Sequence, residues 1–177
     1  NGSGDDWPGP GRTYGEQHYS PLDQINRSNI GKLGLAWALD LPVGNSVTQP
    51  IAVEGKLYFV TGTGILHAVD AVSGSELWTY DAHVPDHDPD TMRTAWGTRG
   101  VAWWAGRLFF GTMDGRLIAV DAATGRERWS VQTTKPRDGR YITGAPRICD
   151  GKVLIGHGGA DVSAIRGYVT AYAADTG

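Results

Sequence analysis

The chain has 177 residues, of which 40% are hydrophobic, and a formal net charge of −3 at pH 7. Its arginines are scattered along the sequence, so no basic stripe favours a nucleic-acid partner. No run of about 18 apolar residues predicts a membrane span, and the single cysteine, Cys149, excludes an internal disulfide.

One sequence pattern recurs along the chain. Residues 68–78 (AVDAVSGSELW) return as residues 119–129 (AVDAATGRERW), and a third copy begins at residues 171–177 (AYAADTG). The matching glycines lie 51 and 52 residues apart, a period typical of β-propeller blades and too long for the common helical repeats. Because such units bury their faces only against neighbours, three of them predict a fragment of a longer protein.

Each complete repeat predicts four short antiparallel strands. In the first repeat the predicted strands are residues 49–53, 56–60, 65–69 and 76–80, and in the second they are 100–104, 107–110, 116–120 and 127–131. Glycine-containing turns join the middle strands, as hairpins require. We therefore expect an all-β propeller fragment of about three four-stranded blades at residues 37–177. Residues 1–36 are expected to lead into it, with a short helix near residues 28–31.

The third repeat contains an insertion. The interval from the hairpin glycine to the repeat alanine is 13 residues in the first two copies and 20 in the third, where it runs from Gly151 to Ala171. The seven additional residues fall within residues 156–167, where the other copies have a tight turn. A long glycine-rich loop on one unit of a repeat scaffold favours a functional site there.

Five segments of the sequence carry a family resemblance. They are residues 14–26 (YGEQHYSPLDQIN), 33–37 (LGLAW), 98–102 (TRGVA), 143–146 (TGAP) and 158–168 (GGADVSAIRGY). In this order, they resemble the N-terminal part of pyrroloquinoline quinone (PQQ)-dependent alcohol dehydrogenases, a family that includes quinoprotein methanol dehydrogenases and quinohaemoprotein alcohol dehydrogenases. The resemblance covers almost the whole chain and implies the first three blades of an eight-bladed propeller.

The resemblance also implies a cofactor site. The positions implied to contact the quinone are Arg99, Thr143, Gly158, Gly159 and Ala160. A guanidinium fork suits quinone oxygens, and small residues let the backbone approach a flat cofactor. Asp161 occupies the position of a family glutamate that ligates Ca²⁺, and a hard cation prefers carboxylate oxygen. From the residues alone, the alternatives are a solvent-exposed arginine, an ordinary strand threonine and a hydrated loop aspartate.

Two departures from the family pattern predict a remodelled pocket. Val47 stands where the family has a glutamate, and Arg93 and Thr94 stand where it has adjacent cysteines that stack on the cofactor. Trp96 offers a substitute stacking surface.

Several other residues have structural interpretations. Trp78 and Trp129 recur at the blade period, so we expect equivalent, largely buried positions between blades. Residues 83–90 (HVPDHDPD) contain metal-ligating residue types, but their prolines and aspartates are more typical of a hydrated loop. His157 borders the inserted loop, where it is either an outer contact of the metal or an ordinary turn residue. Cys149 has no neighbouring histidine that would activate it.

The function implied by the resemblance is oxidation of an alcohol when the protein is full length. Ca²⁺, or another divalent or lanthanide cation, would act as a Lewis acid while an aspartate base takes the alcohol proton and hydride passes to PQQ. That base and the remaining ligands are expected in later blades, so the fragment alone is expected to be inactive. The family also implies a periplasmic location, an electron acceptor such as a cytochrome c, and in some members a haem c domain.

Two alternatives stay open at the level of the sequence. The same repeat builds propellers that hold no cofactor and serve as binding or assembly scaffolds. A quinone enzyme acting on a sugar, a polyol or a bulky secondary alcohol is equally compatible with this segment.

Overall fold

The computed structural model describes residues 6–13, 15–41, 46–62, 64–87, 97–135, 138–161 and 163–177. The strands form three antiparallel sheets in which neighbours in sequence are neighbours in space. Blade 1 contains β1 (Ile51–Val53), β2 (Lys56–Val60), β3 (Ile65–Asp70) and β4 (Glu76–Asp81). Blade 2 contains β5 (Ala102–Trp104), β6 (Arg107–Gly111), β7 (Arg116–Asp121) and β8 (Glu127–Gln132). Blade 3 contains β9 (Arg147–Cys149), β10 (Lys152–His157) and β11 (Tyr168–Ala173).

The predicted all-β fold is confirmed, and the predicted strands agree with the observed ones to within about two residues. The described residues contain a single one-turn helix, α1 (Val84–His87), and a 3₁₀ turn at Ile30–Lys32, close to the short helix expected near residues 28–31. None of the helices in the described part of the chain is long and apolar enough to cross a lipid bilayer.

Blade 2 is buried on both faces because its side chains alternate across each strand. Leu108 and Phe110 of β6 belong to a core shared with blade 1, whereas Phe109 belongs to a core shared with blade 3. All three side chains are fully buried. The continuous apolar run of this strand therefore serves two interfaces at once, as the central layer of a stack requires.

A tryptophan-on-glycine contact links consecutive units. The ring of Trp78 in β4 lies against Gly125 in the turn of blade 2, and a Cβ placed on that glycine would be 2.7 Å from the ring. Trp129 in β8 lies in the same way against Gly177. Both tryptophans pair with an alanine beside the same β-bulge, so they are structurally equivalent as predicted, although half-buried rather than largely buried.

The same contact occurs once more, at a place where the repeat pattern did not reveal it. Trp37 lies against Gly74 of blade 1, and its indole nitrogen donates to the Ala71 carbonyl at 3.2 Å. Trp37 therefore precedes blade 1 as Trp78 precedes blade 2.

The indole nitrogens of the two blade tryptophans have different environments. Trp129 donates to the Ala174 carbonyl at 3.1 Å. At the matching position the Ala122 carbonyl instead accepts a hydrogen bond from the Tyr58 hydroxyl at 3.2 Å. The Nε1 atom of Trp78 is consequently buried without a hydrogen-bond partner among the described residues.

A carboxylate caps the repeat turn in blades 1 and 2. Asp121 Oδ1 accepts hydrogen bonds from the amides of Ala123 and Thr124, at 3.1 Å and 2.9 Å. Hydrogen bonds from the Arg128 guanidinium and from Thr124 lower the pKa of Asp121 to about 2. Asp70 caps the blade 1 turn in the same way. In blade 3 the corresponding residue is Ala173, which cannot supply this cap.

We predict that Gly125→Ala destabilises the protein more than Gly106→Ala does. Both glycines have positive φ, 70° and 76°, so both substitutions strain the backbone. Nothing lies within 4 Å of a Cβ at residue 106, whereas residue 125 would collide with Trp78. The collision should add roughly 1–3 kcal/mol, the usual cost of overpacking. Thermal unfolding of the full-length protein measures the difference, and equal losses for the two variants would contradict the proposed contact.

We also predict that Ala173→Asp stabilises the protein by about 1 kcal/mol, the typical value of a side-chain cap on free amides. Residue 173 lies opposite Lys152, as Asp70 lies opposite Lys56, so the new carboxylate also gains a basic neighbour. Ala173→Glu is the matched control because it adds the same charge on a side chain too long for the cap. Thermal unfolding should rank aspartate above glutamate, and the reverse order would refute the capping argument.

Candidate functional site

The segments that precede the first strands of the three blades are joined by backbone hydrogen bonds. The amide of Gln49 donates to the Arg99 carbonyl at 2.9 Å, and the amide of Arg99 donates to the Thr143 carbonyl at 2.8 Å. Each bond connects one blade to the next. Arg99 and Thr143, 44 residues apart in sequence, are thereby held side by side at the inner edge of the blades.

The side chain of Arg99 is exposed and faces open space. It lines a cleft of about 460 Å³, together with Gln49 and with Gly144 and Ala145 next to Thr143. A planar guanidinium at the wall of an open cleft is available to bind carboxylate or carbonyl oxygens of a ligand. Thr143 is half-buried, and its backbone is already engaged by Arg99.

The insertion in blade 3 forms a loop at residues 158–167. In the sibling blades the residues equivalent to His157 and Tyr168 begin and end a tight turn, whereas in blade 3 these two residues pair as a further rung of the β10–β11 ladder. All seven additional residues predicted from the repeat spacing therefore lie in this one loop.

The glycines at the start of the loop have internal packing roles. Gly158 forms a β-bridge with Tyr141, and its amide donates to the Tyr141 carbonyl at 3.0 Å. Gly159 is buried with φ of 128°, and a Cβ there would lie 2.7 Å from the Gly139 carbonyl oxygen. The fold alone thus requires glycine at residue 159. Ala160, which follows, is exposed.

Asp161 is held by a tyrosine that the sequence did not single out. The hydroxyl of Tyr141 lies 2.6 Å from both carboxylate oxygens of Asp161. This hydrogen bond is the main cause of the lowered pKa of Asp161, and the positive charge of Arg99 lowers that pKa further. The same bond, together with desolvation, raises the pKa of Tyr141 to about 12.

The structure therefore brings together a group that we call the rim cluster: Arg99, Tyr141, Thr143 and Asp161. Backbone bonding joins Arg99 to Thr143, and electrostatic influence joins Arg99 to Asp161. Three of the four residues were expected from the family resemblance. Tyr141 was missed because no periodic spacing connects a residue of the inter-blade segment to a residue of an inserted loop.

The rim cluster offers one carboxylate for a cation. Among the residues that the structure describes, no group of three histidine, cysteine, aspartate or glutamate side chains is close enough to hold a metal ion. The donor chemistry of Asp161 suits a hard cation, and the guanidinium of Arg99 suits the oxygens of an anionic or carbonyl-bearing ligand. The chemistry of these two side chains therefore fits a cation beside an anionic or carbonyl-bearing ligand, although one carboxylate alone does not make a cation site.

The residues that differ from the family pattern lie at the surface or outside the described part of the chain. Val47 is about half exposed and offers no polar atom in its side chain. Arg93, Thr94 and Trp96, which the resemblance placed beside the cofactor, lie outside the described residues.

The base of the inserted loop is clamped to the segment that carries Tyr141. Arg140 donates through Nε to the Arg166 carbonyl at 3.0 Å and through Nη1 to Asp138 at 2.8 Å. Its guanidinium also lies over the ring of Tyr168, 5.3 Å from the centroid. Residues 138–141 therefore contact both ends of the loop, through Tyr141 at the start and Arg140 at the end.

His157 is a buried strand residue. Its ring stacks on Tyr168 with centroids 4.2 Å apart, and Nε2 lies 2.8 Å from Thr133 Oγ1. Desolvation lowers the pKa of His157, so the imidazole is held in its neutral form. Of the two interpretations offered by the sequence, the ordinary turn residue is wrong, because His157 is the last residue of β10, and the outer contact of the metal stays a prediction.

The histidine- and aspartate-rich segment after blade 1 includes a helical turn. Pro85, Asp86 and His87 belong to α1, and His83 is exposed, 3.5 Å from Asp86. Within the described residues this segment forms no three-ligand metal group, and its last residues, 88–90, lie outside them.

Comparisons with known proteins give matches along almost the whole chain. The family model for the PQQ glucose/ethanol/alcohol dehydrogenase β-propeller domain matches residues 7–177. The chain is 48% identical over 184 residues to the dehydrogenase subunit of the quinone alcohol dehydrogenase of Komagataeibacter europaeus, covering 98% of this chain and 25% of that protein.

Two solved structures contain a region with the same fold as this chain. The quinohemoprotein alcohol dehydrogenase ADHIIG of Pseudomonas putida matches with a TM-score of 0.91 and 44% identity, covering 98% of this chain and 26% of that one. A europium-containing methanol dehydrogenase matches with a TM-score of 0.88 and 30% identity, covering 99% and 31%. The chain spans about a quarter of the length of the curated relatives it matches.

We predict that acidification destabilises the protein partly through His157. Because burial lowers the folded-state pKa of this histidine, its contribution to stability is complete above the ordinary value of 6.5 and declines as the pH falls below it. His157→Gln should flatten the loss of stability between about pH 7 and pH 5. Chemical denaturation at several pH values measures the slopes, and parallel curves for wild type and His157→Gln would contradict this assignment.

Proposed function

The chain belongs to the family of PQQ glucose/ethanol/alcohol dehydrogenase β-propellers, and from this premise we propose that the full-length protein oxidises an alcohol with PQQ as its hydride acceptor. The observation that carries the proposal is the rim cluster. It presents a guanidinium, a hydroxyl and a carboxylate at one inner edge of the blades, at the positions where the family resemblance expects cofactor contacts. The 48% identity to a quinone alcohol dehydrogenase subunit supports it.

We assign the chain's own residues the tasks of binding and orienting. The exposed guanidinium of Arg99 donates hydrogen bonds to oxygens of the quinone, and its backbone bond to Thr143 fixes the distance between these two contacts. Gly158, Gly159 and Ala160 border the site with little side-chain bulk, so that a flat ring can approach the backbone. When bound, the quinone accepts the hydride and the cation polarises its carbonyl.

Asp161 is the cation ligand that this chain contributes in our proposal. An aspartate is one methylene shorter than the family glutamate, so Asp161 would have to approach the cation more closely or hold a different cation. One carboxylate does not complete the six to eight oxygens typical of Ca²⁺. The remaining ligands and the general base are therefore assigned to parts of the protein outside this chain, and the chain by itself is expected to be inactive.

The proposal extends to the cation and to redox partners. The europium-containing methanol dehydrogenase supports a site in this family that also accepts lanthanides. The quinohemoprotein relative supports a cytochrome c as electron acceptor, with haem c either in a further domain or in a partner. A periplasmic location is proposed from the same family relationship.

A second candidate is a propeller that has lost its cofactor and acts as a binding scaffold. The observation that favours it is Val47, which cannot provide the polar contact that the family places there. The enzyme is favoured because the chain retains Arg99, Thr143 and an acid at residue 161, a combination that a scaffold does not need.

The test uses the full-length protein that contains this chain. The protein is prepared without cofactor, reconstituted with PQQ and Ca²⁺, and assayed with ethanol and an artificial electron acceptor. We expect alcohol-dependent reduction of the acceptor that requires both additions. Binding of PQQ without turnover on ethanol, a polyol or a sugar would overturn the dehydrogenase proposal, and failure to bind PQQ would favour the scaffold.

We predict that Asp161→Ala weakens Ca²⁺-dependent binding of PQQ at least about tenfold, because a hard cation loses an anionic oxygen ligand. Asp175→Ala is the matched control. Asp175 is an exposed acid on the same blade, beyond the other end of β11, and it pairs with Arg107. Calorimetric titration of the cofactor-free protein gives the affinities. Equal affinities for wild type and Asp161→Ala would make Asp161 a hydrated loop residue.

A further inference from the structure

We propose that Tyr141 is a positioning residue, which holds the carboxylate of Asp161 in the orientation that a bound cation requires. This inference rests on the proposed function, since it concerns the same cation. It adds a residue to the site that neither the repeat pattern nor the family resemblance indicated.

The first argument is the geometry of the hydrogen bond. The Tyr141 hydroxyl lies 2.6 Å from each oxygen of Asp161, so it sits between them and controls the rotation of the carboxylate. A phenol donates one proton, and a carboxylate offers about four lone-pair sites. Because it faces the inner lone pair of each oxygen, the hydroxyl fixes the carboxylate and leaves the outer lone pair of each oxygen for a cation.

The Tyr141 side chain is held in place by its surroundings more firmly than the exposed Asp161 carboxylate is. The backbone of Tyr141 is bridged to Gly158 through a 3.0 Å hydrogen bond, and its ring covers the Gly158 backbone so closely that a Cβ there would lie 3.2 Å away. Tyr141 is half-buried, whereas Asp161 is exposed. Backbone groups of Asp161 and Gly159 also act on this exposed carboxylate, but the Tyr141 hydroxyl is its strongest hydrogen-bond partner, so the direction of the carboxylate depends mainly on the tyrosine.

The third argument is the clamp on the far side of the loop. Arg140, the neighbour of Tyr141, donates to the Arg166 carbonyl at 3.0 Å and is itself paired with Asp138. The loop is consequently attached at its start and at its end to one short segment. The hydroxyl of Tyr141 acts on the middle of the loop, where Asp161 lies, and completes the attachment.

A competing interpretation predicts the opposite change in Ca²⁺ affinity when the Tyr141 hydroxyl is removed. If the hydroxyl instead occupied lone pairs that the cation needs, removing it would strengthen cation binding. We expect orientation to outweigh this competition, since partners that orient metal ligands typically contribute about 10- to 100-fold to metal affinity. Tyr141→Phe keeps the ring that packs on Gly158 and removes only the hydroxyl.

The experiment is a double-mutant cycle in the full-length protein, prepared without cation and kept in excess free PQQ throughout the titration. Calorimetric titration with Ca²⁺ compares wild type with Tyr141→Phe, Asp161→Ala and the double variant. We expect about tenfold weaker Ca²⁺ binding for Tyr141→Phe, and no additional loss when Asp161 is already absent. Tyr168→Phe is the matched control, because that hydroxyl donates to the Thr133 carbonyl at 2.8 Å and should leave the affinity unchanged.

A kinetic readout separates positioning from general damage. At saturating Ca²⁺ the Tyr141→Phe protein should recover the wild-type kcat, since only the cation affinity is reduced. A kcat deficit that saturating Ca²⁺ does not repair overturns the inference, as does a Ca²⁺ affinity equal to or tighter than that of wild type. An equal loss in the presence and absence of Asp161 also overturns it, because the hydroxyl would then act by another route.

The outcomes distinguish this inference from the proposal on which it rests. A wild-type protein that binds neither PQQ nor Ca²⁺ overturns both. A wild-type protein that binds them, with Tyr141→Phe indistinguishable from it, overturns only the role of Tyr141. Thermal unfolding of the cation-free variants checks that Tyr141→Phe and Tyr168→Phe are folded to the same extent.

Discussion

The contact between a tryptophan ring and the turn glycine of the next unit is the constraint on which the architecture depends. It requires a large flat side chain on one unit and a glycine on the following one, and that glycine has positive φ. Because the contact repeats at Trp37, Trp78 and Trp129, each unit is set against its neighbour in the same way. The inner segments then meet in register, and the backbone bonds through Arg99 become possible.

The repeat made the fold predictable from the sequence, and it also marks where prediction stopped. Strands and turns recur at a fixed spacing, so two copies of one pattern located nearly all the elements. The repeat did not predict that Trp37 belongs to the tryptophan series, because it lies before the first recognisable copy, although it makes the same contact as the later tryptophans. The apolar run of β6 was predicted as a strand, but only the packing showed that it serves two cores.

The site was predictable only in part, for a physical reason. Arg99 and Thr143 lie at nearly matching positions of successive repeats, so their proximity follows from the stacking of blades. Tyr141 and Asp161 belong to segments with no counterpart spacing, and their hydrogen bond exists only because the loop folds back over residues 138–141. Gly159 is a different case, since its own backbone conformation requires glycine whether or not a cofactor approaches it.

The pairing of His157 with Tyr168 has a consequence for how such proteins diversify. In blades 1 and 2 the equivalent residues close a tight turn, with Thr61 N–H donating to the Ile65 carbonyl at 2.8 Å and Thr112 N–H to the Arg116 carbonyl at 2.9 Å. In blade 3 the long loop follows at the same place without altering the register behind it. A stacked histidine and tyrosine at that rung form a rigid base on which loops of different length and composition can be exchanged. Evolution, or a protein engineer, can therefore vary the part of the loop beyond the proposed site residues while the core of the blade stays unchanged, as long as glycine is kept at residue 159.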